Sequence, residues 1–209
     1  MTFEVIIKII LCYLLGSISG SLIIGKIKNV DIRKLGSGNA GATNAFRTQG
    51  FLFSLIVMII DVAKGYFSVS IIANDLDIVQ ILLCGVAAVF GHVYPIYYNF
   101  KGGKGAGTLI GVLLALFPTY FFIILLMVWI IIIILSGYVG LSTMVAGVTF
   151  PILLYYTQSI SLDDPKFIFS IAIALFLIFT HRQNISRMIE GDENQFKKAM
   201  LIHKLINRH

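Results

Sequence analysis

Residues 106 to 157 read AGTLIGVLLALFPTYFFIILLMVWIIIIILSGYVGLSTMVAGVTFPILLYYT, and this apolar tract decides the fold class. As one straight helix it would run ~78 Å, against a hydrocarbon core ~30 Å thick. Folded back twice it gives three passes of ~17 residues, short but sufficient. Pro118 and the Ser136-Gly137 pair stand where the two tight turns would fall.

Outward from this tract lie four more apolar segments, at 5–24, 51–73, 78–98 and 167–180. The whole chain has 209 residues, 58% of them hydrophobic and 12% charged. A soluble domain is ~45–50% apolar and ~25% charged, so a water-soluble fold is excluded. A single membrane bundle over 1–209 is expected. Segment 5–24 is longer than the apolar core of a signal peptide and runs into Lys26 and Lys28 without a small-x-small cleavage pattern, so it reads as a retained helix. Gly16, Ser17, Gly20 and Ser21 give it a small face for close helix packing. Cys12 and Cys84 both fall in apolar runs, which points to neither a disulfide framework nor a metal site.

The net charge of +6 fits either nucleic acid or a cytoplasmic membrane face, and position decides. Lys26, Lys28, Arg33, Lys34 and Arg47 lie in 26–50, and Lys101 and Lys104 in 99–105. Arg182, Arg187, Lys197, Lys198, Lys204 and Arg208 follow Thr180. The turns at 74–77 and 161–166 carry Asp75, Asp77, Asp163 and Asp164 instead. Cations sorted this way between spans mark the cytoplasmic side, with no nucleic-acid partner. The 106–157 tract must then cross an odd number of times. The expected fold is an all-α polytopic membrane bundle of seven transmembrane helices, N-terminus outside and C-terminus cytoplasmic. Five helices with a re-entrant stretch is the alternative.

Three of the cationic segments carry chemistry. The first reads GSGNAGATNAFR, with Gly36, Ser37, Gly38, Asn39, Gly41, Thr43, Asn44 and Arg47. Glycines among short polar residues leave successive backbone N–H groups uncovered as an anion nest, and arginine clamps phosphate with two hydrogen bonds. The second runs from Gly91-His92 to Lys101-Gly102-Gly103-Lys104-Gly105 immediately before a helix, whose N-terminus also favours an anion. It is not a nucleotide-binding P-loop, because Tyr98 replaces the first glycine and Gly105 follows Lys104. The third, HRQNISRMIEGDE, sets His181, Asn184 and Arg187 at three-residue spacing on one possible helical face and ends on Glu193. Asp61 and Lys64, inside the second span, are close enough to pair, as a structural ion pair or a functional one.

Taken together, GSGNAGATNAFR, GHVYPIYYNFKGGKGAGT and HRQNISRMIEGDE resemble the bacterial acyl-phosphate-dependent glycerol-3-phosphate acyltransferases, the PlsY family, over essentially the whole chain. The resemblance implies transfer of a fatty acyl group from acyl phosphate to glycerol 3-phosphate, giving lysophosphatidic acid and phosphate. It implies a first acylation step of phospholipid synthesis in the bacterial inner membrane, without coenzyme A or metal. It implies catalytic roles for Ser37, Arg47, His181 and Asn184, and substrate binding by the second-loop glycines and Lys104. Glu193 becomes structural. His92 is followed five residues on by Tyr97, and His181 by Ser186, so the His-x4-Asp pair of other acyltransferases is absent.

The chemistry agrees with those residues. Two phosphorylated substrates need cations and nests, and a mixed anhydride already has a good leaving group, so orientation and charge stabilisation suffice. A phosphate transporter would show an inverted repeat, which the loops lack. A lipid-binding structural protein would explain the lysines but not Ser37, Asn39, Asn44 or Asn184.

Overall fold

The structure, a computed structural model, describes residues 1–196. Lys197, Lys198, Lys204 and Arg208 of the third cationic region lie outside the described residues, as does the C-terminus. Within 1–196 the secondary structure is entirely helical, in two compact units that part between Phe117 and Pro118.

The first unit contains α1 (Phe3–Gly16), α2 (Gly20–Ile27), α3 (Ala42–Gln49), α4 (Phe51–Phe67), α5 (Ile78–Val93) and α6 (Ala106–Leu116). Single 3-10 turns precede α3 and α6, and α4 runs on into a π-helical stretch, Ser68–Ile72. Helix α1 lies against α5, and α4 against α6. Glycine sets both approaches. A Cβ on Gly16 would strike the Ala88 carbonyl, and one on Gly91 the Tyr13 carbonyl. On the other pair, Gly65 faces the Thr108 carbonyl and Gly111 the Val62 carbonyl. Small residues let backbones meet where lipid removes the hydrophobic drive between helices.

The second unit contains α7 (Thr119–Ser136), α8 (Val139–Gln158), α9 (Pro165–Thr180) and α10 (Arg182–Glu190), with α7 on α8 and α8 on α9. The 106–157 tract breaks where expected, at Phe117-Pro118 and at Gly137, which takes φ 73°. The acidic turns cap helices: Asp77 accepts from the Gln80 N–H at 3.0 Å and Asp164 from the Lys166 N–H at 2.7 Å.

Among the described residues, four helical stretches are long and apolar enough to cross a membrane: Phe51–Ile72, Ile78–Tyr98, Thr119–Ser136 and Val139–Gln158. Two bent pairs, α1 with α2 (43°) and α9 with α10 (50°), bring the number to six if each is one span. Helix α6 has 11 residues, ~16 Å of rise, about half the hydrocarbon thickness.

Segment 5–24 is not one continuous helix. It opens at Ser17–Ser19, where Ser17 Oγ turns back to the Tyr13 carbonyl at 2.8 Å and the Ile18 carbonyl accepts from Lys64 Nζ at 2.6 Å. A buried lysine on α4 thus engages a carbonyl that an unbroken helix would have used internally.

Candidate active site

The first glycine loop is built around Asn44. This side chain is 1% exposed, and the two N–H bonds of its Nδ2 are shared among the carbonyls of Ile32 (2.9 Å), Leu35 (3.0 Å) and Asn39 (3.0 Å). Its Oδ1 accepts from the Ser37 N–H at 2.9 Å. Asn44 was expected among the substrate contacts; its amide is spent on the loop backbone instead. Gly36 and Gly38 take φ of 57° and 73°, and a Cβ on Gly36 would also meet Asn44 Oδ1, so side chains are excluded there on two counts. Ser37, Asn39 and Gly41 are half-buried, Thr43 is exposed, and Arg47 is half-buried on α3. Neither α3 nor α6 has a side-chain N-cap, unlike α1, α5 and α9.

The second loop folds back on the end of α5. Gly102 and Gly103 donate to the carbonyls of Val93 and His92 at 3.2 and 3.1 Å, and Phe100 to that of Pro95 at 3.0 Å. These bonds hold Asn99 and Phe100 at φ 54° and 57°, a conformation that costs a bulky residue about 1–3 kcal/mol. Gly105 (φ 92°) then turns the chain into α6. Lys101 is exposed and Lys104 half-buried.

Loops one and two share an open cleft of ≈ 470 Å³, lined by Asp31, Arg33, Gly38, Asn99, Lys101 and Gly102. Asp31 and Arg33 form a two-point pair there, at 3.0 and 2.9 Å. The guanidinium holds the Asp31 carboxyl below the usual carboxylate range, and the carboxylate raises Arg33. What the pair contributes is present above the ordinary carboxylate pKa and is lost as pH falls through the lowered one.

Beneath the second loop, Lys64 pairs with Asp61 at 3.0 Å, as their spacing suggested, and also meets His92 Nδ1 at 2.8 Å. Sequence reading missed this third member. The available signal was physical: ionisable groups inside a span seek one another.

The third segment lies in the second unit. His181 joins α9 to α10, is 5% exposed, and has Nδ1 2.8 Å from the Leu177 carbonyl. A carbonyl can only accept, so Nδ1 carries a proton at this contact. Asn184 Nδ2 and Arg187 Nε both donate to Glu193, at 2.9 and 2.7 Å on its two oxygens. The three-residue spacing therefore gathers Asn184 and Arg187 on one carboxylate. Gly140 of α8 abuts Asn184, where a Cβ would come to 3.0 Å.

The family model for glycerol-3-phosphate acyltransferase matches residues 6–191. A glycerol-3-phosphate acyltransferase of Chlorobium luteolum is 38% identical, with 88% of this chain and 92% of its own covered. One from Fusobacterium nucleatum is also 38% identical, with 90% and 96% covered. A crystal structure of PlsY (YgiH), an integral membrane glycerol 3-phosphate acyltransferase in its glycerol 3-phosphate form, superposes with a TM-score of 0.85 at 34% identity, covering 92% of this chain and 95% of that one. Its lysophosphatidic acid form gives 0.83 at 33% identity. This integral membrane chain belongs to the glycerol-3-phosphate acyltransferase family.

Proposed function

We propose that the protein transfers a fatty acyl group from acyl phosphate to glycerol 3-phosphate, giving 1-acyl-glycerol-3-phosphate (lysophosphatidic acid) and inorganic phosphate. The observation that carries this reading is whole-length similarity to a protein solved with both glycerol 3-phosphate and lysophosphatidic acid. The glycerol hydroxyl attacks the acyl carbon, the bond from that carbon to the phosphate oxygen breaks, and the hydroxyl proton leaves on the phosphate. No coenzyme A and no metal takes part.

Arg47 and Lys104 hold phosphate groups, with Lys101 at the cleft mouth. The backbone of Gly36, Gly41 and Gly105 supplies N–H donors, beside the uncapped first turns of α3 and α6, while Gly38, Gly102 and Gly103, whose own N–H groups bond the carbonyls of Leu35, Val93 and His92, shape the loops for close approach. Ser37, Asn39 and Thr43 add hydroxyl and amide hydrogen bonds, with Ser37 a donor rather than a nucleophile. His181 offers Nε2 to the acceptor hydroxyl, and Asn184, held by Glu193, orients it or the leaving phosphate. The acyl chain lies among apolar helices open to lipid.

The protein sits in the bacterial inner membrane as one acyltransferase domain with seven crossings, α6 being a short one, with the N-terminus outside and the C-terminus and site on the cytoplasmic side. The cationic loops and the turns at Pro118 and Gly137 support that count. The test is pure protein in lipid given acyl phosphate and labelled glycerol 3-phosphate without nucleotide, with acyl-coenzyme A as the control donor. Lysophosphatidate from acyl phosphate alone is expected. None from that donor, or equal product from the coenzyme A ester, overturns the reading.

A further inference from the structure

Glycine is the poorest helix former after proline, so a glycine inside a helix needs a reason. Gly140 stands in the first turn of α8 with helical backbone, outside the left-handed region that would demand glycine. The reason is space. The three atoms that a Cβ there would meet first all belong to one side chain, Asn184, with Cγ at 3.0 Å and Cβ and Nδ2 at 3.1 Å.

Asn184 is tied in place. It is 6% exposed, and its Nδ2 donates to Glu193 Oε1 at 2.9 Å. Its own N–H bonds the His181 carbonyl at 2.8 Å. Glu193 is fixed in turn by Arg187 Nε at 2.7 Å and, through its N–H, by the Arg187 carbonyl at 3.1 Å. Further along the chain, the Phe196 N–H reaches the Gly137 carbonyl at 2.7 Å, just before Gly140. The start of α8 therefore meets the third segment at Asn184 and again at Phe196, with Glu193 between them, and the circuit closes within the second unit.

We propose that Gly140 is a positioning residue for acyl transfer: its missing side chain lets Asn184 rest on α8 with its amide aligned on Glu193, and a Cβ there misplaces that amide. The proposal rests on the reading above that Asn184 acts in turnover. A methyl at 140 pushes the amide by a few tenths of an ångström. That is a small displacement for packing and a large one for a group that must orient a reacting atom. Gly147, further along α8, supplies the contrast. A Cβ on it would come to 2.8 Å of Leu177 Cδ1, the far end of a flexible apolar side chain.

The test uses the full chain in lipid nanodiscs with acyl phosphate and glycerol 3-phosphate. Gly140→Ala should lower kcat about tenfold with KM for glycerol 3-phosphate changed by less than about threefold, while Gly147→Ala keeps wild-type kcat. Wild-type kcat in Gly140→Ala, or an equal loss in both variants, overturns the proposal. Full activity in Asn184→Ala would defeat the catalytic reading of Asn184 and the proposal with it. An inactive Asn184→Ala beside a fully active Gly140→Ala would defeat the proposal alone. A second measurement needs no turnover. In protein labelled with ¹⁵N at asparagine, the Asn184 side-chain amide, assigned by its loss in Asn184→Ala, should shift in Gly140→Ala and hold its place in Gly147→Ala. An unmoved amide in Gly140→Ala overturns the proposal whatever the enzyme does. If Gly140→Ala fails to fold, adding Asn184→Gly vacates the space that the methyl needs and should restore folding. A paired variant that still fails to fold overturns it.

Discussion

Arg47 and Glu193 show how two polar side chains in such a protein do different work. Arg47 stands half-buried on α3, immediately after a loop whose shape is set by Asn44. In the proposed site its guanidinium is a phosphate ligand, and the bonds that shape the loop run to Asn44. Arg47→Ala should abolish turnover, by at least ~100-fold, while the protein still inserts and extracts normally. Full activity in that variant would take Arg47 out of the site. Glu193 is 7% exposed and receives Asn184 and Arg187 on separate oxygens. Glu193→Ala takes the shared acceptor from both, and the loss at buried Asn184 alone costs ~1–3 kcal/mol. Here thermal stability and activity should fall together; a variant with reduced activity and an unchanged melting temperature would contradict the bridging role. The sequence could pair Asn184 with Arg187 by spacing. It could not show that Asn44 is consumed by the backbone, because three of its four partners are main-chain carbonyls with no side-chain signature.

Among the elements, the breaks with local causes were legible and those with distant causes were not. Proline at 118 and glycine at 137 stop helices through their own backbone chemistry, and the 106–157 tract divides at both. The opening at Ser17–Ser19 depends on Lys64, 46 residues from Ile18, and composition gives no hint of it. The small residues at Gly16 and Ser17 announced close packing, and Gly16 does meet α5, though the helix they were assigned to ends there. The α4 and α6 pair extends the same logic to a testable interface. Gly111 lies against the Val62 carbonyl and the Tyr66 amide nitrogen, both backbone and unable to swing aside. Gly111→Leu should force the two helices apart and destabilise the first unit by ~1–3 kcal/mol or more. Because α6 follows the second glycine loop, a lower glycerol 3-phosphate affinity should accompany the loss. Wild-type stability and affinity in detergent would refute the close approach.

At the scale of the whole molecule the deciding question is sidedness, and charge alone answers it in the sequence. The first two cationic segments already share a cleft within the first unit. The third belongs to the second unit, and its place rests on the rule that lysine and arginine stay on the cytoplasmic side. Both native thiols are buried in apolar helices, Cys12 and Cys84 alike, so they leave little background for a membrane-impermeant thiol reagent. Single cysteines at Thr43, Lys101 and Arg182, all exposed, should therefore react only in inside-out vesicles, and a cysteine at exposed Asp75 only in right-side-out ones. Acyl transfer between a soluble phosphate ester and a lipid-like donor needs all three segments to reach the same aqueous phase. Labelling of Arg182→Cys from the side opposite to Thr43→Cys would separate His181 and Asn184 from the first two glycine loops, and a single reaction centre would then be physically impossible.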